Sequence, residues 1–117
     1  MDTTARADLF FQGRHAEWAL FDALEKSVRE LYPQMQLRVM KTCIAFDDPK
    51  PFAYVSFPPK KSLSGLWLSI SLREAMTHPR IAMLVPVSRS RFTAHIHLPD
   101  EGAIDRKLLD LIAAGHR

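Results

Sequence analysis

One cysteine, Cys43, and only four glycines stand in a chain of 117 residues. A single thiol makes no intramolecular bridge, so nothing points to an oxidising compartment or a disulfide framework. No run approaches the roughly 20 apolar residues that cross a bilayer. The opening MDTTARADLFFQG has no apolar stretch of signal-peptide length. A cytoplasmic protein with no membrane partner is the expectation. Charge of one sign is scarce as well: 16 Lys and Arg against 13 Asp and Glu leave a net +3. That balance reads as a mixed solvated surface and argues against a nucleic-acid footprint, which clusters its basic residues on one face. Repeats, low-complexity tracts and interdomain linkers are all missing.

What is present fits one domain over residues 1–117, with residues 1–9 as a flexible N-terminal segment. At 47% hydrophobic and 25% charged, the chain has an ordinary globular composition. Its length buries about two thirds of the unfolded surface, so a core needs neither metal nor disulfide.

The apolar spacing predicts a first helix over Arg14–Tyr32, burying Phe21, Leu24, Val28 and Leu31 with Trp18 a turn earlier. Pro33 stops it. Gln36–Phe46 reads as one long strand in which Lys41 interrupts an apolar row. Two readings of Lys41 stand: a bulge or strand end that turns it outward, or an ammonium at the rim of an anion site. Asp47 and Asp48 open a proline-rich turn and are expected to face water. Phe52–Phe57 returns as a second strand. In Leu66–Leu72 the leucines and Ile70 alternate with Trp67, Ser69 and Ser71, which predicts a third strand with one buried face.

Two further strands flank the turn Ser88-Arg89-Ser90-Arg91. Pairing Val87 with Phe92 sets Val85 against Ala94, Met83 against Ile96 and Ile81 against Leu98, all apolar pairs. Pro86 marks an edge or a bulge. Asp100 reads as the cap of a last helix that buries Ile104, Leu108, Leu111 and Ile112 and ends at Gly115. The expected fold is α+β: a five-stranded, mainly antiparallel meander sheet with an N-terminal and a C-terminal helix covering one face.

Few constellations carry chemistry. His95-x-His97 puts two imidazoles on one strand face, but zinc needs three or four ligands, and His78 or His116 would have to come close. No metal and no cofactor is expected. Cys43, mid-strand among apolar residues, reads as inert. Ser69 or Ser71 can meet His95, yet a nucleophilic pair also needs an orienting group and oxyanion donors. Lys41, Arg80 and His95 remain as donors in or beside strands. If they gather near Trp67, with Thr93 and His97 on the same face, they make a groove for a small anion or an acidic peptide end. The competing reading has Arg80 paired with a carboxylate such as Asp105, locking the last helix.

Several short runs carry a resemblance over nearly the whole chain, from about Phe10 onward. They are Lys41-Thr42 with Ile44 and Phe46, Phe52-Ala53, Pro79-Arg80-Ile81, Arg91-Phe92-Thr93 with His95, and Ile104-Asp105 with Leu108. Together they resemble a bacterial family catalogued as domain of unknown function 5655. In that family the Arg-aromatic-Thr run is followed by two histidines; here Ala94 takes the first place, and His97 lies on the face of His95. The resemblance implies a small α+β domain with no established activity, and it singles out Lys41, Arg80 and His95. The leading expectation is therefore a binding module, monomeric or homodimeric, for a small anionic ligand or protein partner. An enzyme using His95 as general base with Arg80 or Lys41 as clamp is the alternative. A nucleic-acid contact through Lys60, Lys61, Arg89 and Arg91 is weaker still.

Overall fold

The computed structural model describes Ala7 and residues 9–116. Of the segment expected to be flexible, residues 1–6 and 8 lie outside the described residues, while Ala7 is 1% exposed and belongs to the core. The elements run α1 (His15–Leu31), β1 (Gln36–Val39), β2 (Ile44–Asp47), β3 (Pro51–Ser56), β4 (Leu66–Leu72), β5 (Met83–Ser88), β6 (Arg91–Leu98), a 3₁₀ turn (Glu101–Ala103) and α2 (Arg106–His116). The architecture is α+β with an antiparallel sheet, as the apolar patterning implies.

Three details differ from the sequence reading. The sheet has six strands, because the stretch Gln36–Phe46 folds into two: Met40 N–H donates to Cys43 O and closes a hairpin between β1 and β2. Lys41 therefore sits exposed at a turn, not in a strand row. The strand order is β1-β2-β3-β4-β6-β5, so β6 lies between β4 and β5, and β5 forms an edge. Finally, the β5–β6 register is one residue away from the all-apolar pairing. Ser88 pairs with Arg91 across the tight turn Arg89-Ser90, the register shifts between Pro86 and Ser88, and beyond the shift Val85 faces Thr93 and Met83 faces His95. At the other end of β5, Ala82 N–H also donates to His95 O (2.8 Å), so two residues address one. These irregularities put Met83 and Val85 on the uncovered side of the sheet.

The core lies on one side of the sheet only. Leu66, Leu68 and Ile70 of β4 and Ala94, Ile96 and Leu98 of β6 are buried against the helices, with Ile44, Phe46, Ala53 and Val55 from β2 and β3. From α1 come Leu20, Phe21, Leu24 and Val28. Leu31, expected inside, is 46% exposed at the last residue of the helix. Gly115 does not end α2 but lies within it. A Cβ there would stand 3.2 Å from Ile70 and 3.3 Å from Phe52 O, so glycine lets the helix approach the sheet closely. Gly65 is stricter: at φ +91°, an added Cβ would meet Leu98 O at 2.1 Å, so only glycine fits where the chain enters β4 beside the end of β6.

Asp105, rather than Asp100, starts the last helix. Its carboxylate accepts the Leu108 N–H (3.0 Å), the geometry of a helix cap, whereas Asp100 precedes the 3₁₀ turn and makes no side-chain cap bond. At the far end of α2, His116 Nε2 meets Asp48 Oδ2 at 2.9 Å, and its ring lies parallel to Tyr32 with centroids 3.9 Å apart. Asp47 is held by Arg38 (2.9 Å). Both aspartates expected to face water are thus partnered.

Candidate functional site

The uncovered sheet face is built by strict alternation. Every residue between the buried positions of β4 and β6 points the other way, so Trp67, Ser69, Ser71, Thr93, His95 and His97 share it. Register then decides who meets whom. Trp67 lies opposite His97, Ser69 opposite His95, and Ser71 opposite Thr93. Tyr54 of β3 extends the Ser69–His95 row on one side, and Met83 extends it on the other.

His95 Nδ1 and Ser69 Oγ are 2.8 Å apart, and the His95 ring lies near-parallel to Trp67, 20° off with centroids 5.6 Å apart. Burial pushes the His95 imidazolium pKa below the ordinary histidine value, because the charged ring would lose water here. The ring is therefore neutral at pH 7, with one N–H and one lone pair. His97 Nε2–H donates to the Ser64 carbonyl (2.6 Å), which holds the ring beside the start of β4.

Arg80 is elsewhere. Its Nη1 donates to both Asp105 oxygens (3.1 and 3.0 Å) and its Nη2 to Ala103 O (2.6 Å). The side chain clasps the start of α2 on the helix side, and Asp105, shared between Arg80 and the Leu108 amide, is held below the usual carboxylate pKa chiefly by that amide. Lys41 is elsewhere too. It lines a shallow cleft with Leu9, Phe10, Val39 and Met40, and three strand spacings separate β2 from β6, about 14 Å. So Trp67, Thr93, His95 and His97 come together, while Lys41 and Arg80 do not join them. The two basic loops considered for nucleic acid lie at opposite ends of β6: Lys60-Lys61 before β4, and Arg89-Arg91 at the β5–β6 turn.

The Ser69–His95 contact has the look of a nucleophile and its base, yet the surroundings do not supply the rest. Ser69 sits mid-strand with ladders to both β3 and β6, so its neighbouring amides are taken and none is left to hold an oxyanion. No carboxylate orients His95 among the described residues. Nor does any group of three or more His, Cys, Asp or Glu side chains among them come close enough to hold a metal. Cys43 lies in the β1–β2 hairpin rather than mid-strand, and burial raises its thiol pKa, which disfavours the thiolate.

Three residues of β5 that the all-apolar pairing would turn inward complete the face. Met83 is 53% and Val85 37% exposed, beside His95 and Thr93, and Val87 at the register shift is 66% exposed. The signal in the sequence is Pro86: an irregularity beside it shifts the register by one and turns the first two onto this face. None of the five clefts described is lined by Trp67, Ser69 or His95; the largest, about 830 Å³, lies between the end of α1 and the β2–β3 turn, around Arg29, Gln34, Gln36, Asp47 and Asp48. The candidate face is broad and shallow.

The family comparison agrees with the resemblance read from the short runs: the model of a family described as domain of unknown function (DUF5655) matches residues 7–117. The chain belongs to this family. No curated protein and no solved structure matches the chain. The matched range takes in all six strands and both helices, so the DUF5655 domain here is the whole described fold and includes the open face. Among its described residues, no helix is long and apolar enough to cross a membrane.

Proposed function

We propose that this DUF5655 domain is a binding module that receives a protein partner on the open sheet face, across Trp67, Thr93, His95 and His97. The observation that carries the reading is the exposure of Met83 and Val85 beside the His95–Trp67 stack. Among the described residues no helix covers these apolar and aromatic side chains, and such groups on one face are what protein interfaces bury. A small anion is less well served. The cations thought to clamp it are spent on Asp105 or lie strands away, and small ligands favour concave pockets, which this face does not provide.

The test is to pan a peptide display library against the folded domain and map the strongest binder by amide hydrogen exchange. Protection should concentrate in β4, β5 and β6, and Trp67→Ala should weaken binding at least about tenfold, the loss expected of a central aromatic anchor. Protection centred on the cleft at Asp47 and Asp48, with Trp67→Ala silent, would refute the reading.

A further inference from the structure

Apart from Arg14, which lies over the Phe57 ring (3.9 Å), the described arginines of this domain fall into two groups. Arg29, Arg38, Arg80 and Arg106 each hold a carboxylate, at distances from 2.9 to 3.5 Å. Arg73, Arg89 and Arg91 are exposed and form no ion pair among the described residues, not even with the nearby Glu74. They also share one place. The register that pairs Leu72 with Phe92 brings Arg73, one residue past β4, opposite Arg91 at the start of β6. Arg89 is in the turn beside them. Like charges set opposite one another across strands repel, so this end of the sheet is poised for an anion.

The position of the charge relative to the open face gives the anion a shape. Arg91 Nη1 reaches Ser71 Oγ on that face (3.5 Å). Running down β6 from there come Thr93 with Val85, then His95 with Met83, then His97 with Trp67. From Arg91 to His97 the lane covers about 20 Å, the length of six or so residues of extended chain. That is too long for a small anion. The exposed Met83 and Val85 suit apolar side chains and would be wasted on a sugar-phosphate backbone, whose contacts are polar and charged.

We infer that the partner is an acidic segment of another protein, bound in extended form. Its carboxylates lie at Arg73 and Arg91, where the planar guanidinium fork matches a carboxylate, and its apolar side chains follow over Val85 and Met83 toward Trp67. This rests on the binding-module reading and names the chemistry of what that face takes.

Fluorescence anisotropy with labelled octapeptides tests it. One set carries two glutamates ahead of alternating leucine and valine; a second replaces the glutamates with lysine; a third replaces the apolar residues with serine; an eight-nucleotide single-stranded DNA is the fourth probe. The first set should bind best. Arg73→Gln with Arg91→Gln should weaken it about tenfold or more, chiefly through the charge-assisted contacts, with the circular dichroism spectrum unchanged. Equal binding by that double variant, preference for the DNA, no binding by any peptide, or a face occupied by a second copy of the chain in sedimentation would each overturn the acidic partner. A second variant, Met83→Ser with Val85→Ser, separates the two proposals. If it abolishes binding while the arginine variant does not, the open face still binds and only the charge assignment fails. If neither variant changes binding, both proposals fail.

Discussion

On the helix side of the sheet, Leu66, Leu68, Ile70, Ala94, Ile96 and Leu98 are essentially out of solvent, while Trp67, Ser69, His95 and His97, their neighbours in the same two strands, are all partly exposed. The backbone and its ladders are common to both sides. What differs is that the helices cover one face and leave the other without a lid. Stability therefore resides in one set of alternate residues, and the other set is free to carry chemistry that folding does not require. The edge strand β5 departs from this division, because its apolar Met83, Val85 and Val87 are exposed where β4 and β6 hide theirs.

The most forceful way to break the comparison is a pair of substitutions on opposite faces of one strand. Ile96→Ala should cost about 3 kcal/mol, within the 2–5 typical of a fully buried aliphatic, and Thr93→Ala in the same strand less than about 1 kcal/mol. Urea denaturation midpoints at constant slope measure both. Equal losses would mean that the open face is covered in solution. A smaller effect sharpens the exception in β5. Leu84, opposite Ala94 on the helix side, should lose about 1–2 kcal/mol as Leu84→Ser, while the adjacent Met83→Ser should stay within about 0.5 kcal/mol. The all-apolar register would reverse that order, so the pair decides between the two alignments.

The smallest effect concerns acid. The folded state holds His95 below its ordinary pKa by burial, so the unfolded chain binds the proton more readily. Stability is then complete above the ordinary histidine range and declines as pH falls through it toward the lowered folded value. A His95→Gln variant should show a flatter dependence between neutral and mildly acidic pH, and an NMR titration of the His95 ring should give a midpoint below that of a free histidine. A midpoint above it would show that the ring gains an anionic partner in solution.

Much of this division was legible from the residues. Alternation in Leu66–Leu72 announces the buried and open faces of β4, and the spacing of Leu24, Val28, Leu108 and Ile112 announces both helices. The site was half legible. Trp67, His95, His97 and Thr93 could be placed on one face because parity along a strand is a local property. Arg80 could not, because its partner Asp105 lies 25 residues away and only the folded chain shows which of two roles its guanidinium takes. For Lys41 the outward-turned reading holds, but the break in the strand is hidden in the sequence because nothing but a short hydrogen-bonded turn separates β1 from β2. The β5–β6 register failed for a subtler reason. Hydrophobic matching favoured an arrangement in which every pair was apolar, but a two-residue turn closes Ser88 on Arg91, and the residue left over at Val87 moves everything beyond it by one.

Pro86 sits at the middle of MLVPVS, the outermost ribbon of the sheet. A sticky, unpaired border of that composition is what a growing fibril would template upon, each arriving chain adding its own row of bonds. Proline offers no amide to an incoming chain, and the irregularity beside it spoils the flatness that stacking demands. The domain can thus keep an adhesive margin on display while denying its own copies an orderly way to accumulate there.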